Sequence, residues 1–177
     1  MMNLKYSVDS KSKKKYFYKP LLIIISIDIL AFLFFLYVKK MTTEESILVL
    51  LGILAFSLIL YIAPLFAFYF NYFFTNKNCQ LVITANSLGN IFSYKSGTIN
   101  IEIKESDIKQ VVFYLPPPVY EKRAHWLFWD KYFYSKIILE NQEIVVTCLL
   151  CDDFNKYIPQ NKKVLKKVPF PFVKSKD

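Results

Sequence analysis

The sequence predicts an α+β membrane protein, in which a two-helix transmembrane hairpin precedes a small antiparallel β-barrel or roll with a short C-terminal helix. Three observations predict it: two long apolar runs in the first half, short alternating runs in the second, and excess positive charge confined to the two ends. The 177 residues hold one ordinary domain and a short extra module. They are 54% hydrophobic and 18% aromatic, richer in Phe and Tyr than a soluble domain.

The distribution of charge narrows the partners. The net charge is +9. Residues 1–20 carry six lysines (5, 11, 13, 14, 15 and 19) against Asp9, and residues 161–177 carry six (162, 163, 166, 167, 174 and 176) against Asp177. Each end is therefore +5, which leaves −1 for everything between. A nucleic-acid partner calls for a basic patch on the folded body, so nucleic acid is not expected. Basic ends fit an anionic lipid surface, at about 1 kcal/mol per Lys near the headgroups, or they serve only topology and solubility. The segments follow: a basic cytoplasmic tail over 1–15, the hairpin over 16–75 with spans at about 17–38 and 47–70, a β domain over 76–160, and a basic tail over 161–177.

Residues 16–38 are interrupted only by Lys19, Ser26 and Asp28, and residues 47–74 carry no charge. Both exceed the ~20 apolar residues that a membrane crossing needs. Aromatics at their ends (Tyr16, Phe17, Tyr18; Tyr69, Tyr72, Phe73) suit a headgroup interface. The first run is too long for a signal peptide, and Lys39 and Lys40 follow it in place of a cleavage site. Neither run has a polar face, which excludes core helices of a soluble protein. The lysine-rich N-terminal flank outweighs the loop, where Lys39 and Lys40 meet Glu44 and Glu45, so both termini are expected in the cytoplasm. Cys79, Cys148 and Cys151 agree with a reducing compartment.

Asp28 is the one ionisable group deep in a span, a place where charge is costly. Reflecting position 28 about the loop centre reaches Ser57. A protonated Asp28 sharing a hydrogen bond with Ser57 ties the helices together; a proton relay or a contact with another subunit are the other readings. Pro64 kinks the second span.

Beyond Asn76 the period shortens to two. Segments 79–84, 88–94 and 98–104 read as strands, with Ile99, Ile101 and Ile103 alternating. A fourth lies in 107–115, and 131–140 with 143–150 form a hairpin over Asn141 and Gln142. A short helix over 152–158 starts with Asp152 and Asp153. The step I-x-x-S-D-I-x-x-V (103–111), the hairpin I-x-L-E-N-Q-E-I-V-V (137–146) and the terminal helix, all behind a membrane hairpin, resemble bacterial pleckstrin-homology-like domains. That resemblance covers nearly the whole chain. It implies a bacterial inner-membrane protein with a cytoplasmic interaction or lipid-surface module, and it carries over no catalytic residues.

The most distinctive stretch is 114–130, YLPPPVYEKRAHWLFWD. A long loop in a compact domain is functional or disordered. This one is stiffened by Pro116, Pro117 and Pro118, then becomes basic (Lys122, Arg123) and aromatic (Trp126, Phe128, Trp129). One reading dips the aromatics into the membrane interface while Lys122 and Arg123 meet lipid phosphates. The other packs Trp126 and Trp129 over one end of the barrel.

Chemistry is sparse. Cys148 and Cys151 form a CxxC which, with Cys79 and His125, makes only a weak zinc pattern, and neighbouring Asp152 and Asp153 oppose a stabilised thiolate. With one His and three Gly, no catalytic triad, phosphate cradle or cofactor motif is legible. The expected role is a non-catalytic, membrane-tethered scaffold or lipid-sensing module with a protein partner. Its rivals are an accessory subunit of a larger membrane complex, and an enzyme or transporter component working through Asp28 or the cysteine pair.

Overall fold

The structure, a computed structural model, describes residues 2–39, 41–86 and 89–174. Lys40 of the hairpin loop, Ser87 and Leu88 of the first β-turn, and Lys176 and Asp177 of the basic C-terminal segment lie outside the described residues.

Strand β1 (Met2–Ser7) opens the chain. Asp9 then accepts a hydrogen bond from the Ser12 amide at 2.8 Å and so caps α1 (Ser10–Lys13). The helix continues through a π-helical turn, Lys14–Tyr18, into α2 (Lys19–Lys39). A capping box between Thr42 and Glu45 starts α3 (Thr43–Ser57). A second π-turn, Leu58–Ile62, leads into α4 (Ala63–Asn76). Pro64 stands at the start of α4 and has no N–H to give the preceding turn, and the helix widens there. Two continuous helices result, 28 residues over Ser10–Tyr37 and 33 over Glu44–Asn76, each long and apolar enough to cross a membrane.

The first sheet has the order β1-β2-β3-β4 and is wholly antiparallel, with β2 (Cys79–Asn86), β3 (Gly89–Ser96) and β4 (Ile99–Lys104). Its β3–β4 reversal needs a positive φ, which Gly97 supplies at +58°. The second has the order β7-β6-β5-β8, with β5 (Gln110–Leu115), β6 (Tyr134–Ile138), β7 (Glu143–Thr147) and β8 (Lys163–Lys167). Leu81, Ile83, Phe92 and Ile103 from one sheet meet Val111, Phe113, Ile137 and Val146 from the other, with Phe154 and Ile158 completing this core.

Four expectations need correction. The segments read as basic tails contribute strands: β1 pairs with β2 (Ser7 opposite Gln80) and β8 pairs in parallel with β5 (Val111 opposite Lys163). In β1 the half-buried Leu4 and Tyr6 alternate with exposed Asn3 and Lys5, a period-two pattern hidden by the charge. The barrel does not close, because β4 and β5 belong to different sheets joined by a 3₁₀ turn, Glu105–Asp107. The helix expected over 152–158 is one 3₁₀ turn, Phe154–Tyr157, ended by Pro159. The aromatics at the end of the second apolar run also serve as core: Phe68 and Tyr72 are buried against Tyr132.

Asn76 fixes where α4 meets the sheet. It is fully buried; its side-chain NH₂ donates to the Val145 carbonyl at 3.1 Å and its Oδ1 accepts from the Thr147 amide at 2.9 Å. The side-chain amide thus stands in for a neighbouring strand along the edge of β7. Asn76→Ala strips both backbone groups of their partner and is expected to lower stability by about 1–3 kcal/mol. Denaturant melts of the full chain in mild detergent measure this, with exposed Asn78→Ala as the control that shifts by less than about 0.5 kcal/mol.

Candidate functional site

The stretch between β5 and β6 carries the residues predicted to contact lipid or a partner, Lys122, Arg123, Trp126, Phe128 and Trp129. Its prolines begin α5 (Pro117–Tyr120), a single turn that ends as Lys122 swings to φ +54°. Glu121 gathers the nearby cations, accepting from Arg123 Nε at 3.0 Å and from Lys167 of β8. The Lys167 hydrogen bond, then the Arg123 and Lys167 charges, hold the Glu121 carboxyl below its ordinary range. Lys122 has no acidic partner among the described residues.

Asp130 then reverses the chain by accepting from the Trp126 amide at 3.1 Å and the Leu127 amide at 3.0 Å. This parts the two tryptophans. Trp129 and Phe128 are half-buried against Tyr61, each with ring centroids 6.3 Å from it, whereas Trp126 is 87% exposed. Trp129 and Phe128 also pack against the buried cluster that holds Tyr132 and Tyr134, whereas Trp126 has no such cover. The loop reaches along the hairpin to Tyr61, fifteen residues from Asn76, or about 22 Å at the α-helical rise.

Within the hairpin the structure brings Asp28 and Ser57 together: Ser57 Oγ donates to Asp28 Oδ1 at 2.9 Å, and Ser57 is buried. The thiols are not brought into one cluster. Cys79 sits in the sandwich, 3.0 Å from the Tyr94 hydroxyl. Cys151 lies in the same core, while Cys148 joins the second cluster beneath the hairpin with Tyr16 and Tyr132. Strand β7 ends at Thr147, and Cys148 lies buried just beyond it. Burial pushes the Cys148 thiol up to about 12 and raises that of Cys151 as well, and the Asp152 and Asp153 charges act in the same sense. No group of three or more metal-ligating side chains forms among the described residues, and His125 is exposed.

Sequence reasoning missed the second cluster, in which Tyr16, Leu65, Phe68, Tyr69, Tyr72, Tyr132 and Tyr134 join both helices to the sheet. The signal exists: Leu65, Phe68, Tyr69, Tyr72 and Asn76 fall at helical spacing on one buried face. It is masked because the opposite face, with Phe66, Phe70 and Phe74, is equally apolar.

A family model described as a PH domain matches residues 5–155. No curated protein and no solved structure matches the chain. The matched range begins within β1 and so takes in the helical hairpin between β1 and β2.

Two measurements test this geometry. The folded chain binds the Cys148 proton more tightly than the unfolded chain. The Cys148 contribution to stability is therefore constant below about pH 8.5, the ordinary thiol range, and declines as the medium becomes more alkaline toward the folded value of about 12. Accordingly iodoacetamide at about pH 8.5 is expected to leave the thiols unlabelled until urea unfolds the chain. Ser57→Ala removes the only described partner of Asp28 and is expected to cost about 0.6–1.7 kcal/mol in detergent melts.

Proposed function

This chain belongs to the PH domain family, and we propose that it is a non-catalytic interaction module held by its helical hairpin in a bacterial inner membrane. Membership of that family suggests a protein- or lipid-interaction role. The finer reading takes the adjacent lipid surface as its first partner, with both termini cytoplasmic and a protein partner recruited there.

The observation that carries the reading is the contrast along each long helix. Only 11% of each apolar window is buried within the chain. Leu22, Ile29 and Leu30 of α2, and Leu48, Leu51 and Ile59 of the second long helix, have no cover of their own. Left in water such surface costs about 25 cal/mol per Å², and hydrocarbon removes that cost. The Asp28–Ser57 bond is then the internal polar tie that such a pair needs in a medium without water. Pairing of Ser7 with Gln80 holds the two ends of the hairpin side by side, which agrees with both termini on one face. Lys11, Lys13, Lys14, Lys15 and Lys19 gather at that end, which favours the cytoplasmic side.

In this placement a crossing of about 20 residues from Glu44 ends near Tyr61, short of the end at 70 that hydropathy suggests, and leaves Tyr61 near the headgroups with Trp129, Phe128 and the freely projecting Trp126. Lys122 and Arg123 then face lipid phosphates, the latter in exchange with Glu121.

The chain's two tryptophans both lie in this loop, so selectively excited tryptophan emission reports on nothing else. In proteoliposomes, lipids brominated near the headgroup are expected to quench the emission, and Trp126→Phe to remove most of the quenched component. Emission that the bromines leave untouched would exclude lipid contact by the loop and direct the search to a protein partner on the same surface.

A further inference from the structure

From the first long helix we infer a seat for one anionic glycerophospholipid, distinct from the aromatic loop. A groove of about 340 Å³ runs down the outer face of this helix, lined by Lys14, Tyr18, Lys19, Leu22, Ile23, Ser26 and Ile27. These residues fall on two adjacent ridges. Lys14, Tyr18, Leu22 and Ser26 step by four along one, and Lys19, Ile23 and Ile27 step by four along the other, so the groove follows the helix. A lysine heads each ridge at the end nearer the β domain, and below them the lining is aliphatic apart from Tyr18 and Ser26. The Ser26 hydroxyl donates to its own Leu22 carbonyl at 2.8 Å, which withdraws that polar group from a ligand.

The lysines around the helix start are divided between two tasks. Lys13 lies over the Phe73 ring, 5.5 Å from its centroid, and Lys15 pairs with Asp152, so both are committed to the rest of the chain. Lys14 and Lys19 are exposed and have no acidic partner among the described residues. Paired ammonium groups above an aliphatic channel match a phosphodiester joined to an acyl chain. Phosphate chemistry is met at the top, and a hydrocarbon chain lies between the ridges. Neither half suffices alone, because the lysines are water-exposed and the groove is shallow. The neighbouring cleft between β1 and the turn after β7 is a weaker candidate, since Asp9 and Asp152 offset most of the charge of Lys5, Lys11 and Lys15.

This inference rests on the hairpin lying in a bilayer, which alkaline carbonate extraction tests by itself. Release into the soluble fraction would overturn both. For the seat, the full chain in mild detergent is examined by native mass spectrometry with phosphatidylglycerol, with phosphatidylcholine of the same acyl chains, and with glycerol phosphate as the chainless headgroup. One retained phosphatidylglycerol is expected, with about tenfold preference over phosphatidylcholine, and the preference is expected to vanish in Lys14→Gln/Lys19→Gln. Ile23→Trp, which fills the groove and leaves both lysines, is expected to lose the lipid too, whereas Lys162→Gln/Lys163→Gln keeps it. Equal retention of the two lipids, or an undiminished preference in Lys14→Gln/Lys19→Gln, overturns the seat. Full competition by glycerol phosphate also overturns it, in favour of a free-anion site.

Discussion

Tyr132 is the joint on which the rest of the architecture depends. It is fully buried where the two long helices and the second sheet converge. Its hydroxyl donates to the Tyr16 carbonyl at 2.7 Å, and its ring meets Tyr16 edge-on at 5.6 Å, Tyr72 edge-on at 5.3 Å and Phe68 at 5.6 Å. Tyr16 belongs to the first helix and lies in its π-turn, where widened geometry alters how carbonyls are satisfied. One side chain thus supplies a polar partner to one helix and packing area to the other. Burial pushes the phenol pKa well up, so the hydroxyl remains a donor across the physiological range. The hairpin is therefore continuous with the domain rather than tethered to it by a linker.

The second long helix works in two surroundings. Over α3 its large apolar side chains Ile47, Leu48, Leu51, Leu54 and Phe56 are exposed, and along α4 it presents Leu65, Phe68, Tyr69 and Tyr72 to the domain. Two asparagines secure the lower part by copying backbone hydrogen bonding. Asn76 does this on the edge of β7, and Asn71 on the strap that follows β8 over residues 168–174, donating to the Val173 carbonyl at 3.0 Å and accepting from the Val173 amide at 2.9 Å. Phe172 of the strap stacks on Phe68 at 4.2 Å, and Tyr72 donates to the Pro171 carbonyl at 2.6 Å. Amide side chains suit this task because each offers a donor and an acceptor in one plane, as the peptide group does.

What the sequence discloses follows from which constraints are local. Hydropathy delimits the helices because an apolar run needs no partner to be recognised. Mirror arithmetic across the loop finds Ser57 opposite Asp28 because antiparallel helices of equal rise pair symmetrically. The strands from Cys79 to Thr147 show in their alternation, since each is flanked by its own turn. β1 and β8 do not, because their partners are remote and their lysines imitate a solvated tail. The loop aromatics announce themselves by composition, yet their contact with Tyr61 depends on how far the loop travels along a helix, which no local pattern encodes. The aromatic face of α4 is hidden for the opposite reason: everything around it is apolar.

Insertion of the hairpin between two neighbouring strands has a kinetic side. Met2 lies opposite Ala85, so β1, which precedes the helices in the chain, is paired only after both helices and β2 exist. Closing so long a loop is entropically expensive unless the intervening segment has already folded back on itself, which the antiparallel helices accomplish. High sequence separation of this kind slows folding. Until β1 arrives, one edge of β2 is bare and able to capture another chain. The order of events during biosynthesis is thereby constrained: helix pairing comes early, sheet completion comes late, and the interval between them is when the nascent protein is most exposed to mispairing.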